Sequence, residues 1–208
     1  MMYFRRFILG AVIAMPLLGL MAGTAHAQTI SPEAAKSFIQ QSGQQLQSII
    51  NSSAPQAQKA DQLRQLVNRI VAVDQIGDYV LGPYIRVITP QQHARFLQLF
   101  HQLLSYNITY QIRAYRGVNF TVNNAVPQGN DIVVNTTVTS PGKAPAEVGW
   151  AVEEIDGRPK IVDVIVAGTS LRITTRNDYS GVITGHGGQV SALLNAMQGQ
   201  ITRIANAQ

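Results

Sequence analysis

The sequence predicts an α+β fold: helices, then an antiparallel sheet of about four strands, then helices, all within one domain of residues 28–208. Three observations predict it. Apolar residues recur at helical spacing as far as about residue 116, and from Val118 the period changes to two. Short turn sequences (Gln128-Gly129-Asn130, Ser140-Pro141-Gly142 and Asp156-Gly157-Arg158-Pro159) leave room only for antiparallel neighbours. Finally, Lys160 to Leu171 is the most apolar run outside the first thirty residues and is β-branched almost throughout. Such a run reads as a strand covered on both faces, at the centre of the sheet.

The first residues read as a leader. Arg5 and Arg6 form a positive n-region, Phe7 to Ala22 an apolar stretch, and Ala25-His26-Ala27 an A-x-A cleavage site. This pattern predicts a secretory signal peptide over residues 1–27, too short for a stable membrane span. The residues flanking the arginine pair fit the twin-arginine motif poorly, and no cysteine follows the site. The expected location is the periplasm, with a mature chain beginning near Gln28.

The chain of 208 residues contains no cysteine, which removes disulfides, thiol nucleophiles and thiolate metal sites. The formal charge of +5 falls when Arg5 and Arg6 leave with the leader. The remaining basic residues are scattered singly, whereas a nucleic-acid reader concentrates its charge.

Ser31-Pro32-Glu33 carries an N-cap serine, a proline at the first helical position and an acid in the first turn. Ala35, Phe38, Ile39, Leu46, Ile49 and Ile50 continue that helix, which Gly43 weakens, to a break at Asn51 to Pro55. A second helix spans about 56–73 on a stripe of Leu63, Leu66, Val67, Ile70 and Val71. A short third spans 74–81 and ends at Gly82-Pro83. Thr89-Pro90-Gln91-Gln92 is a capping-box start for the longest helix, to about Arg116, with Phe96, Leu97, Phe100, Leu103, Leu104 and Ile108 inward. Strands follow at about 118–123, 131–139 and 146–155, then the apolar run. Helices near 175–184 and 189–205, split by Gly185 to Gly188, complete the chain. One curved sheet with a long helix across its face leaves an internal apolar cavity, a usual place for a ligand.

The chemistry-bearing residues are few. His93 and His101 are two turns apart on one helix, too distant to chelate a single metal ion. No nucleophile elbow, Walker or Rossmann glycine pattern occurs. Asp163, one acid among aliphatics, is the candidate base, with Tyr84, Tyr110 or Tyr115 as oxyanion donors. The alternative is a structural acid bonded to an arginine or to backbone N–H groups.

Val80-Leu81-Gly82-Pro83-Tyr84, Thr89-Pro90-Gln91-Gln92 with Phe96 and Phe100, Tyr115-Arg116-Gly117 and the Lys160 to Leu171 run together resemble the MlaC family. These are periplasmic carriers of the phospholipid-trafficking pathway, also called toluene-tolerance auxiliary proteins. The likeness covers nearly all of the mature chain, and the Lys160 to Leu171 run is its most specific part. The resemblance implies a non-enzymatic α+β protein that holds phospholipid tails between sheet and helices. It implies exchange with an outer-membrane lipoprotein complex and an inner-membrane ABC transporter complex, with no metal or cofactor. Where relatives carry Tyr-Trp-Arg, this chain has Tyr84-Ile85-Arg86. Its Thr175 to Gly188 segment is closer to a hopanoid-associated branch, which implies a triterpenoid ligand or membrane context.

Leu81, Tyr84, Phe96, Phe100, Leu104, Tyr115, Trp150, Val164 and Val166 are the expected lipid-lining residues, with Arg86 at a head-group rim. In this arrangement Phe100 and Leu104 face Trp150, Val164 and Val166 across the cavity. A phospholipid with about thirty tail methylenes at ~0.8 kcal/mol each exposes roughly 24 kcal/mol of apolar surface on entering water. A dry pocket removes that cost without any catalytic group. Besides the carrier, an isomerase-like enzyme using Asp163 and a ligandless envelope interaction module remain open on the residues alone.

Overall fold

The computed structural model describes residues 30–110 and 117–206. The leader expected over residues 1–27, the end of the long helix and Tyr115 lie outside these described residues. Among them are six α-helices and one antiparallel sheet in the order β1-β2-β3-β4-β5.

Helix α1, Pro32–Asn51, starts where the sequence places it: Ala34 N–H donates to the Ser31 hydroxyl at 3.2 Å. Its face of Ala35 and Ile39 packs against the sheet. Gly43 is a close-approach position, because the Phe120 ring lies against it and a Cβ there would come 1.9 Å from the ring. Helix α2, Gln56–Ile70, buries Leu63 and Leu66 and supplies a cap to its predecessor. The buried Lys59 ammonium donates to the Ile50 carbonyl at 2.8 Å, at the negative end of α1.

Helix α2 stops at Ile70, short of the expected residue 73, since Val71 and Ala72 are drawn onto the sheet. Val71 bridges Ile161, and Ala72 N–H donates to Ile161 O at 3.0 Å. Helix α3, Val73–Leu81, and a 3₁₀ turn, Gly82–Arg86, follow. Helix α4, Pro90–Tyr110 as described, opens on the expected capping box. Gln92 N–H donates to Thr89 Oγ1 at 3.2 Å, and Thr89 N–H donates to Gln92 Oε1 at 3.1 Å.

The strands are β1, Asn119–Gln128; β2, Asp131–Thr139; β3, Ala146–Ile155; β4, Arg158–Val166; and β5, Thr169–Ser170. Helices α5, Leu171–Gly185, and α6, Val190–Asn206, close the fold. The Lys160 to Leu171 run is therefore three elements rather than one strand. Ala167 and Gly168, both at positive φ, turn it back, and Ser170 caps α5 at Leu171. Nor is β4 central. The middle strand is β3, while among the described residues the outer edge of β4 meets only the two residues of β5 and the Val71–Ala72 segment. Its double-sided burial comes from helices: α1 and α2 cover one face, and α3 and α5 crowd the other.

A second correction concerns the long helix. Its stripe of Phe96, Leu99 and Leu103 packs with Leu193, Met197 and Ile201 of α6, so α4 belongs to a helical layer. That layer has its own core, separate from the core between α1 and the sheet (Ile132, Val134, Val152, Ile161). Because α1 already occupies one sheet face, α4 buries its stripe on another helix. Each large side chain so buried contributes roughly 2–3 kcal/mol wherever its apolar partner comes from.

A cluster at Asp163 and two adjoining clefts

Asp163 is 6% exposed, and its ligands are those of a structural acid. It accepts from Val164 N–H at 2.8 Å, from Arg172 N–H at 2.9 Å and from the Ser170 hydroxyl. Arg172 Nε lies 3.7 Å away, and the other end of that guanidinium reaches Asp131 at 3.1 Å. The same guanidinium stacks 4.5 Å over the Tyr79 ring, with Arg176 at 5.2 Å. The carboxylate thus ties β4 to the first turn of α5, where negative charge is favoured. Tyr84, offered as an oxyanion donor, shares a hydrogen bond with Thr184 Oγ1 at 3.0 Å instead.

The larger cleft, about 840 Å³, runs between α2 and α4. Ala57, Ala60, Arg64 and Asn68 line it from α2; Gln98, His101, Gln102, Ser105 and Tyr106 line it from α4. A smaller cleft of about 390 Å³ adjoins it, with Asn68 and His101 common to both. It lies between the α2–α3 junction and the β3–β4 hairpin, where Asp156, Arg158 and Lys160 meet Asp74 and Gln75. Two parallel bonds hold α4 beside α3: His101 Nε2 donates to Asp74 Oδ1 at 2.7 Å, and His93 Nε2 to Asp78 Oδ1 at 2.7 Å. No group of three His, Asp or Glu side chains suited to a metal ion occurs among the described residues.

Of the expected lining residues, none that lies among the described residues borders either cleft. Leu81 and Phe96 are fully packed inside the helical layer, and Phe100 lies against them, its ring 5.7 Å from that of Phe96. Tyr84 packs on the same cluster, Leu104 is half-buried, and Arg86 is exposed at the end of the 3₁₀ turn. Trp150 and Val164 belong to the α1–sheet core, where the indole N–H donates to Thr136 Oγ1 at 2.9 Å. Val166 is 38% exposed. The pairing of Phe100 and Leu104 with Trp150, Val164 and Val166 is overturned, because α4 packs on helices rather than over the sheet. The cleft residues were missed because they occupy the polar sides of α2 and α4, which sequence reasoning assigns to solvent. The available signal was spacing: Ala57, Ala60, Arg64 and Asn68 fall on one helical face, as do Gln98, His101, Gln102 and Ser105.

Comparison with known proteins adds three findings. A family model described as MlaC protein matches residues 40–199. Toluene tolerance protein ttg2D of Pseudomonas putida is 24% identical over 149 residues, covering 71% of this chain and 69% of that protein. A phospholipid-binding protein from Ralstonia solanacearum, solved in complex with a phospholipid, matches with a TM-score of 0.71 at 20% identity. That match covers 82% of this chain and 98% of the other, and it is a likeness of fold.

Proposed function

The chain belongs to the MlaC family, and from that premise we propose that it binds phospholipid and carries it across the periplasm. In this reading it is not an enzyme. It exchanges lipid between an outer-membrane lipoprotein complex and an inner-membrane ABC transporter complex, after export on its leader. The fold shared with a phospholipid-bound protein supports the reading.

The observation that carries it is the cleft between α2 and α4, whose volume falls in the range of ligand sites. Ala57 and Ala60 keep the two helices from filling the space between them, and amide side chains rim it. No helix among the described residues is long and apolar enough to cross a membrane.

Organic extraction of protein purified from periplasmic extract, followed by mass spectrometry, tests this. Phospholipid in near-stoichiometric amount is the expected result. Protein that elutes free of lipid and takes none from vesicles would overturn it. A polycyclic triterpenoid in place of phospholipid would keep the carrier and change its cargo.

A further inference from the structure

We propose that Arg176 binds the phosphate of a phosphodiester head group at the seam between the helical layer and the sheet. The proposal rests on the lipid carriage proposed above, and not on which apolar walls take the tails. Helix α3 brings Tyr79 to this seam and ends at Gly82, and α5 brings Arg172 and Arg176. Strands β2 and β4 bring Asp131 and Asp163. Both guanidiniums lie over the Tyr79 ring, but they differ in what meets their charge. Arg172 is already matched, by Asp131 at 3.1 Å and Asp163 at 3.7 Å. Arg176, one turn further along α5, makes no ion pair or hydrogen bond among the described residues.

Arg176 is nonetheless held in place. It is half-buried, with its guanidinium 5.2 Å over the Tyr79 ring and against the backbone of Gly82. A Cβ at Gly82, whose φ is +56°, would come 2.8 Å from Arg176 Nε and 3.3 Å from Nη2. Glycine therefore leaves the cradle that the guanidinium fills. Because ring and peptide fix the cation before a ligand arrives, binding forfeits little side-chain freedom. The seam itself offers no acceptor. The Asp163 carboxylate is occupied by Val164 N–H, Arg172 N–H and the Ser170 hydroxyl, and Asp131 is occupied by Arg172. Arg172 Nε is even buried without a hydrogen-bond partner among the described residues. A half-buried group of donors short of acceptors marks a place where a ligand supplies one. The single negative charge of a phosphodiester matches the single unmet cation, and its paired free oxygens fit the guanidinium fork.

The test loads the protein from phosphatidylcholine vesicles that contain diacylglycerol of the same chains, then quantifies both extracted lipids by mass spectrometry. The wild type is expected to hold the phospholipid in severalfold enrichment over the vesicle ratio. Arg176→Gln should lose that enrichment while still taking up diacylglycerol, and Arg203→Gln, on the exposed side of α6, should keep it. Wild-type enrichment in Arg176→Gln overturns the phosphate site and leaves the carrier standing. So does a wild type that shows no enrichment, a result that needs no variant to fold. Uptake of neither lipid by the wild type overturns the carriage and this site with it. Inorganic phosphate in large molar excess should leave the enrichment unchanged; its loss would make the free ion the ligand and overturn the head-group assignment.

Discussion

The Ser170 hydroxyl donates to the buried carboxylate of Asp163 while accepting from Ile173 N–H at 3.0 Å. One side chain therefore caps α5 and satisfies the acid of β4. The relation explains why an acid stands in a run of aliphatics: it is the joint between sheet and helical layer, with Arg172 as its counter-charge. Removing either partner leaves a buried polar group short of a bond. Asp163→Asn should lower stability by about 1–3 kcal/mol in urea denaturation, with bound lipid retained. Unchanged stability with a lost turnover of some small substrate would return Asp163 to the role of base.

Gly43 and Phe120 make a second joint, between α1 and β1. A methyl group at Gly43 would occupy the place of the ring, so Gly43→Ala should destabilise by about 1–3 kcal/mol despite its better helix propensity. Gly43→Ala/Phe120→Leu should recover part of that loss, measured by the same denaturation. A more stable Gly43→Ala protein would mean that propensity outweighs the contact.

Tyr179 stands edge-on to Phe96 and Phe100, with centroids 6.1 and 6.5 Å away. Burial, with the charge of Asp178 adding to it, pushes its hydroxyl from 10.0 up to about 12. The folded protein thus holds this proton more tightly than the unfolded chain. Its contribution to stability is fully present below the unfolded value and is lost as pH rises from about 10 to about 12, up to roughly 3 kcal/mol. Phenolate absorbance should show one tyrosine titrating late in the wild type and absent in Tyr179→Phe. A wild-type titration identical to that of the variant would contradict the burial.

Filling the larger cleft separates it from the packed cores. Ala60→Trp should reduce co-purified lipid with little change in melting, because a cleft accepts volume that a core does not. Val164→Trp, in the α1–sheet core, should instead cost about 1–3 kcal/mol and leave the lipid content of the folded fraction unchanged. The reverse pattern would move the lipid site to the sheet.

The capping box at Thr89 and Gln92 is the most local of these devices. Thr89→Ala should cost about 1 kcal/mol, read by thermal or urea denaturation, with lipid content unaffected. A neutral effect would show that packing on α6 alone holds the start of α4.

By itself the sequence determined whatever depends on residues near one another in the chain. Ser31 and Thr89 cap their helices through their own backbones, and Asp156-Gly157 turns a hairpin at positive φ. The alternation after Val118 sets a period, and with it the class of fold and the order of its elements. Tertiary structure alone decided which apolar surface meets which. The stripe of Phe96 and Leu103 is equally suited to a sheet or a helix, since burial is non-directional and depends on area rather than partner. Here α1 had taken the sheet face, so α4 packed on α6, and its other side, with that of α2, became the walls of a cleft. Polar side chains facing water and polar side chains facing a cleft follow the same helical period, so only the juxtaposition of the two helices tells them apart.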